Sequence, residues 1–271
     1  MSYDILVLGS GPAGLAAAVA VRGRGKSVLV IGNRWQDSPL ARAERVDNYL
    51  GLPASSGKEL LAQFYDHAVK AGADFVTGRA VSMMVYGGVF ATVGSQVYDG
   101  KALILAPGVQ RQAKYPGEET YLGRGVSYCA TCDGMLYRGK PVAVVGYTDT
   151  ARQEAEFLQK IGCSVTYFDR PKQCEIRGDG RVESVTCDGR TIPAEGVFIL
   201  RPTMAPTELF PGLAVEQGYV TVDRRMATNL PGLFAAGDCT GGPLQVSKAA
   251  GDGLIAGQSA AAWAAAQERR E

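Results

Sequence analysis

Short apolar runs, each closed by glycine or a polar turn, alternate along the chain with stretches of helical spacing. Ile5-Leu6-Val7-Leu8 ends in Gly9-Ser10-Gly11-Pro12-Ala13-Gly14, and LAAAVAVRG leads on to the next run, Val28-Leu29-Val30-Ile31. This succession predicts a strand, a glycine turn, a helix and a second strand. Lys58 to Ala71 reads as a helix with Leu61, Phe64, Tyr65 and Ala68 on one face, and strands are expected at Ala73 to Met84, Val89 to Val93 and Leu103 to Leu105. The pattern then restarts. Val142 to Val145 turns at Gly146, continues through a helix from Ala151 to Ile161, and reaches strands at Val165 to Phe168 and Val197 to Leu200. Leu233 to Ala236 ends in Gly237-Asp238, and an alanine-rich helix follows.

Two such starts point to an α/β protein with two Rossmann-like three-layer domains, the second inserted into a discontinuous first. The expected division is 1–113 with 205–271 for the outer domain and 114–204 for the inner. A length of 271 residues suits two modest cores. Composition narrows the reading. With 28 Lys and Arg against 27 Asp and Glu, net charge leaves no footprint for nucleic acid or an anionic membrane. No apolar run has the length of a membrane span. MSYDILVLGSG runs into the first strand with no basic leader or cleavage site, so a cytoplasmic protein is expected. In a reducing compartment six cysteines do not suggest a secreted disulfide scaffold, and a close pair suggests redox work.

In Gly9-x-Gly11-x-x-Gly14 the first glycine makes the tight turn, the second lets backbone approach a pyrophosphate, and the third lets helix and strand pack closely. Its place between a strand and a helix distinguishes it from an ordinary glycine-rich turn. Ser10, Pro12 and Ala13 complete the loop, whose free amides at the helix start suit phosphate. The acidic residue expected at the end of the second strand is missing; Gly32-Asn33-Arg34 stands there, and Asn33 is a candidate partner for a ribose hydroxyl or an ordinary turn residue.

Cys129-Ala130-Thr131-Cys132-Asp133 places two thiols at CxxC spacing, able to cycle between dithiol and disulfide, beside a carboxylic acid able to protonate a leaving thiolate. Zinc is the competing use of such a pair, but the only histidine is His67, on a helix, and there is no second CxxC. Cys163, Cys174 and Cys187 lack cluster spacing and are expected to be packing or surface thiols, and Cys239 directly follows Gly237-Asp238, near any dinucleotide bound there.

LILAPG at 103–108, GRGVSYCATCDGMLYRGKPVAVVG at 123–146 and GLFAAGDCTGGPLQVSKAAG at 232–251 resemble the low-molecular-weight thioredoxin reductases, as do the N-terminal GSGPAG and ERVDNYLGLP at 44–53. The resemblance covers nearly the whole chain in the same order. It implies FAD held by the first glycine loop, with Asp238 after Gly237 near the ribityl phosphate and Asn48, Val81, Gly108, Gln245 and Val246 close to the flavin. It implies that Cys132 exchanges electrons with the flavin, that Cys129 attacks the disulfide of thioredoxin with Asp133 as the acid, and that the protein is a homodimer.

The second glycine loop departs from that family. Where G-x-G-x-x-A holds NADPH, this chain reads Gly146-Tyr147-Thr148-Asp149-Thr150-Ala151. Thr148 crowds the pyrophosphate position and Asp149 brings a like charge. The strand ends Phe168-Asp169-Arg170-Pro171-Lys172 instead of in the arginine cluster that grips a 2′-phosphate, and the stretch to Val197 is too short for a full nucleotide half-domain. This pattern resembles the ferredoxin-dependent flavin thioredoxin reductases, in which an iron–sulfur protein reduces FAD directly. Three other readings stand beside it. Asp169 suits the free 2′-hydroxyl of NADH, so one is a NADH- or NADPH-dependent reductase. Another is a disulfide oxidoreductase served by a second flavin or other carrier, and the last a non-enzymatic FAD-binding redox sensor. Arg124, Arg138 and Lys140 near the pair are either a face for an acidic ferredoxin or an ordinary solvated surface.

Overall fold

The computed structural model describes residues 2–78, 80–85, 89–93, 96–109, 114–147, 149–201 and 206–269, with the side chains of 81–85, 90, 149 and 208 left aside. The chain forms two compact units, one of residues 1–110 with 205–271 and the other of residues 111–204.

The first unit opens with β1 (Ser2–Leu8), α1 (Pro12–Arg22), β2 (Val28–Gly32), α2 (Gly57–Lys70) and β3 (Asp74–Thr77), then β4 (Ala80–Val85), β5 (Val89–Val93) and β6 (Gln96–Leu105). The expected strand from Ala73 to Met84 is two strands, because the chain turns at Gly78, where φ is +159°. Strand order is β3-β2-β1-β6-β5-β4, parallel from β3 to β6 and antiparallel from β6 to β4. A capping box opens α2: the Ser56 side chain accepts the Glu59 N–H while Glu59 accepts from Ser56.

The second unit holds β7 (Val126–Ser127), α3 (Ala130–Asp133), β8 (Pro141–Gly146), α4 (Asp149–Lys160), β9 (Ser164–Asp169), β10 (Cys174–Arg177), β11 (Ser184–Cys187), β12 (Arg190–Pro193) and β13 (Gly196–Leu200). Its parallel sheet runs β7-β13-β8-β9. Alternation along buried strands sorts the side chains into three layers. Val142, Val144, Phe198 and Leu200 face Ala151, Ala155 and Leu158 of α4. Ala143, Val145, Val197 and Ile199 face Cys174, Ile176, Val185 and Cys187 of the antiparallel sheet β10-β11-β12. That small sheet fills the short interval after Phe168. Cys174 and Cys187 are not the separate thiols expected from their spacing. They stand directly opposite each other in the β10–β11 ladder and form a disulfide, with Cα atoms 4.2 Å apart and both residues buried. Cys163 is free and buried, as a packing thiol should be.

The chain then returns to the first unit with α5 (Pro206–Leu209), β14 (Val215–Glu216), β15 (Tyr219–Val220), β16 (Leu233–Ala235) and α6 (Val246–Glu268). β16 adds in parallel to β6 through Leu233–Leu103, Phe234–Ile104 and Ala235–Leu105. α1 and α6 share one face of the sheet, where Ile5, Val7, Val28, Val30 and Ile104 meet the alanines of both helices. Glycine permits their close approach: a Cβ at Gly253 would sit 2.1 Å from the Ala13 carbonyl oxygen, and one at Gly257 2.6 Å from that of Ala17. Among the described residues no helix is long and apolar enough to cross a membrane.

Candidate active site

Three loops leave the same end of the first unit's sheet, because β1, β6 and β16 are neighbours in register. Leu8 pairs with Leu105, and Leu105 with Ala235. The loops are therefore Gly9–Gly14, Ala106–Gly108 and Ala236–Asp238, at the carboxyl ends of parallel strands, where open α/β sheets bind ligands. Backbone bonds stitch them to the sheet: Gly9 N–H donates to Ile31 O at 2.8 Å, Ala106 to Leu8 at 2.7 Å and Ala236 to Leu105 at 2.8 Å.

The three glycines of the first loop are there for different reasons. A Cβ at Gly9, where φ is +121°, would lie 2.1 Å from the Ala106 carbonyl oxygen, and one at Gly14 1.8 Å from that of Gly9. Packing alone requires both. A Cβ at Gly11 would meet nothing within 4 Å. Open space beside the middle glycine fits a bound pyrophosphate, the one role that protein packing does not explain. Pro12 takes the first helical position, where its missing N–H costs nothing.

Asn33 follows β2 and its carbonyl accepts from Ser10 Oγ at 2.6 Å. Both line a cavity of about 270 Å³ with Val30, Arg34, Trp35, Tyr65 and Phe75. Asn48 lies in the loop before α2, its carbonyl accepting from Ser247 Oγ at 3.5 Å, so it sits beside the start of α6. Gln245 caps that helix and Val246 opens it. Gly108 has φ +73°. Val81 belongs to β4, but its side chain lies outside the described set. Gly237 and Asp238 come together with the first loop: a Cβ at Gly237 would lie 2.8 Å from that of Ala13. Cys239 is buried, and burial pushes its thiol up to about 12, so it stays protonated.

In the second unit Cys129 and Cys132 form a disulfide, with Cα atoms 5.3 Å apart. Cys129 is buried and caps α3, its sulfur accepting the Cys132 N–H at 3.1 Å; Cys132 is exposed. Asp133 is held by a residue that spacing did not single out. Ser127 Oγ accepts the Cys129 N–H at 3.1 Å, and the nearer acceptor for its one proton is Asp133 Oδ2 at 2.7 Å, ahead of Cys129 O at 3.2 Å. Tyr128, just before the pair, is fixed from behind by donating to buried Glu118 at 3.0 Å, and Glu118 takes two bonds from buried Arg201 at 2.5 and 2.7 Å. Burial pushes the Glu118 carboxyl up, but these bonds outweigh it and hold the group below the usual range.

The first glycine of the second loop is closed by a side chain. A Cβ at Gly146 would lie 2.1 Å from the Tyr167 hydroxyl. Tyr167 pairs with Val144, two residues before Gly146, as Val30 pairs with Val7, two before Gly9. So a tyrosine occupies the register position at which the first unit has the cavity-lining Val30. The Arg152 guanidinium stacks on Tyr167 at 4.8 Å from the ring centroid and pairs with Asp169 at 3.0 Å. Tyr147 closes the end of β9 by donating to Pro171 O at 3.1 Å. Thr148 lies outside the described residues, as does the side chain of Asp149.

Residues 3–175 and 170–253 match the family described as pyridine nucleotide-disulphide oxidoreductase. A thioredoxin reductase of Listeria innocua is 34% identical, covering 95% of this chain and 92% of its own length. Among solved structures, a ferredoxin-flavin thioredoxin reductase of Clostridium acetobutylicum superposes with a TM-score of 0.91 at 37% identity, over 100% of this chain and 99% of that one. A thioredoxin reductase of Gloeobacter violaceus gives 0.80 at 30%, over 100% and 95%. With the CxxC disulfide and the cradle beside Gly11, these likenesses make the chain a member of the pyridine nucleotide-disulphide oxidoreductase family and a thioredoxin reductase-like disulfide oxidoreductase.

Proposed function

We propose that this protein is an FAD-dependent reductase that takes electrons from reduced ferredoxin, or a similar one-electron protein donor, and passes them through Cys129 and Cys132 to thioredoxin. The observation that supports the choice of donor is the tyrosine packed against the first glycine of the second loop. Tyr167 occupies the corner beside Gly146, and Asp169 pairs with Arg152. The first loop keeps its space beside Gly11. The likeness to the ferredoxin-flavin enzyme supports the same donor.

The loops at Gly9–Gly14 and Gly237–Asp238 would hold FAD, with Asn33 toward the ribose and Asn48, Val81, Gly108, Gln245 and Val246 toward the flavin. Bound FAD supplies the conversion of single electrons into the pair that a disulfide needs. Following the family resemblance, Cys132 is the sulfur we assign to exchange with it. In the dithiol, the Cys132 N–H at the Cys129 sulfur favours a thiolate there. Cys129 then attacks the thioredoxin disulfide: one sulfur–sulfur bond forms to Cys129 as the thioredoxin bond breaks, and Asp133 gives a proton to the departing thiolate. Cys132 attacks Cys129, closes the protein's own disulfide and releases thioredoxin as a dithiol.

The donor is tested by anaerobic stopped-flow mixing of the FAD-loaded protein with NADPH, NADH and reduced ferredoxin. The crowding expected at Thr148 and the like charge expected at Asp149, about 1–3 kcal/mol each, would weaken nucleotide binding by roughly one and a half to four decades. Rapid loss of flavin colour is expected with ferredoxin alone. Rapid bleaching by micromolar NADPH would refute the assignment, and bleaching by NADH would transfer the role to that nucleotide.

A further inference from the structure

Lys248 and Asp252 are the charged residues within an otherwise small and apolar first part of α6, and the sequence gives them no role of their own. Both side chains point back at the loop that carries Asp238. Lys248 Nζ donates to the Gly237 carbonyl, the Thr240 hydroxyl and the Gly241 carbonyl, each at 2.8 Å. It also lies 2.8 Å from Asp252 Oδ2. That carboxylate accepts the Gly237 N–H at 3.1 Å and lies 3.2 Å from the Thr240 hydroxyl, whose nearer acceptor is the Gly237 carbonyl at 2.8 Å. The two side chains are 19% and 12% exposed, so the bonds are partly shielded from water. Backbone on both sides of Asp238 is therefore fastened to one turn of one helix.

That turn also touches the other loop of the cradle. Gly253 follows Asp252 directly, and its contact with the Ala13 carbonyl ties the same turn to the start of α1. Gly237 in turn abuts Ala13. The Gly9–Gly14 loop and the Gly237–Gly241 loop are thus indexed to each other through α6. Positive φ at Gly237 (+83°) and Gly241 (+104°) leaves the second loop with glycine freedom at each end, which external bonds must restrain.

We infer that Lys248 and Asp252 are positioning residues that set the Asp238 loop at a fixed distance from the phosphate loop before FAD arrives. The inference rests on the FAD reading above and adds to it the pair that prepares the site. Removing the lysine leaves Asp252 without its counter-charge and frees two loop carbonyls. FAD then has to order the loop at its own expense.

The test is FAD affinity of apoprotein measured by quenching of free FAD fluorescence, together with hydrogen exchange at residues 237–241 in the apoprotein. Lys248→Met is expected to raise the Kd for FAD about tenfold and to speed exchange of the loop amides, with the fine structure of the bound flavin spectrum blurred. Asp252→Asn, read the same way, serves should the first variant not fold. The double variant K248M/D252L separates positioning from the penalty of an unpaired charge, since it leaves no charge unpaired and still lacks the loop bonds. A double variant with wild-type Kd and wild-type exchange would overturn the proposal, as would single variants that bind FAD as tightly as wild type. No FAD binding by the wild-type protein would overturn the flavin reading and this inference with it.

Discussion

Asp4 sits where three parts of the first unit meet. Its carboxylate accepts from the Ser27 N–H and hydroxyl, both at 2.9 Å, and from Lys101 at 3.0 Å, and Lys101 bonds Glu268 at the end of α6. Burial pushes the carboxyl up, but the Ser27 and Lys101 bonds outweigh it and hold it at about 2. Because the folded value lies below the unfolded one, this stabilisation is complete above the ordinary carboxylate range and disappears as pH falls from about 4 to about 2. Asp4→Asn is expected to lower stability by about 1–2 kcal/mol near neutrality and to remove that part of the acid transition, as read by urea titrations across pH. The two active cysteines make a sharper pair. Cys132→Ser should keep FAD bound and stop electron transfer to any disulfide. Cys129→Ser should leave a Cys132 thiolate and a long-wavelength absorbance band; a band confined to the Cys132 variant would reverse the two roles.

At the scale of elements, the β10–β11 disulfide closes a hairpin in the second unit. Replacing both Cys174 and Cys187 by alanine should cost about 2–3 kcal/mol, the entropy of a loop of that size, seen as a lower Tm, with flavin content unchanged. Thiol titration in denaturant offers a direct count: two thiols, Cys163 and Cys239, before reduction, and two more for each disulfide opened. Equal reactivity of all six under native conditions would contradict the buried pair. This disulfide was not legible in the chain. The cysteines lie thirteen positions apart, and only the register of a hairpin decides whether they meet. Ser127 and Tyr167 escaped for the same reason, since each acts through where its strand places it. The turn at Gly9–Gly14, the Cys129–Cys132 pairing and the loop at Gly237-Asp238 were legible because a turn, a helix start and a strand end impose their geometry over a few covalently adjacent residues. Lys248 and Asp252 left one signal, opposite charges four apart in an alanine- and glycine-rich helix, which reads equally well as a surface pair.

For the molecule as a whole, α6 presents Leu254 and Ile255 to solvent at 49% and 39% exposure. We take this as support for the homodimer that the family resemblance implies, and light scattering on purified protein should return twice the chain mass; a monomer at micromolar concentration would remove it. The out-and-back path of the chain has a consequence for biogenesis. Residues 111–204 are all in hand before the first unit has its last strand and helix. A ribosome therefore delivers a completed inner unit while β6 still lacks β16 and α1 still lacks α6. During that interval the alanine face of α1 and half of β6 are uncovered, a state prone to wrong pairing. The cofactor cannot assist, since the loop that ends at Gly241 has not been made. FAD loading is expected to follow synthesis of that loop, and a pulse-labelled chain stalled before Leu233 should bind no FAD.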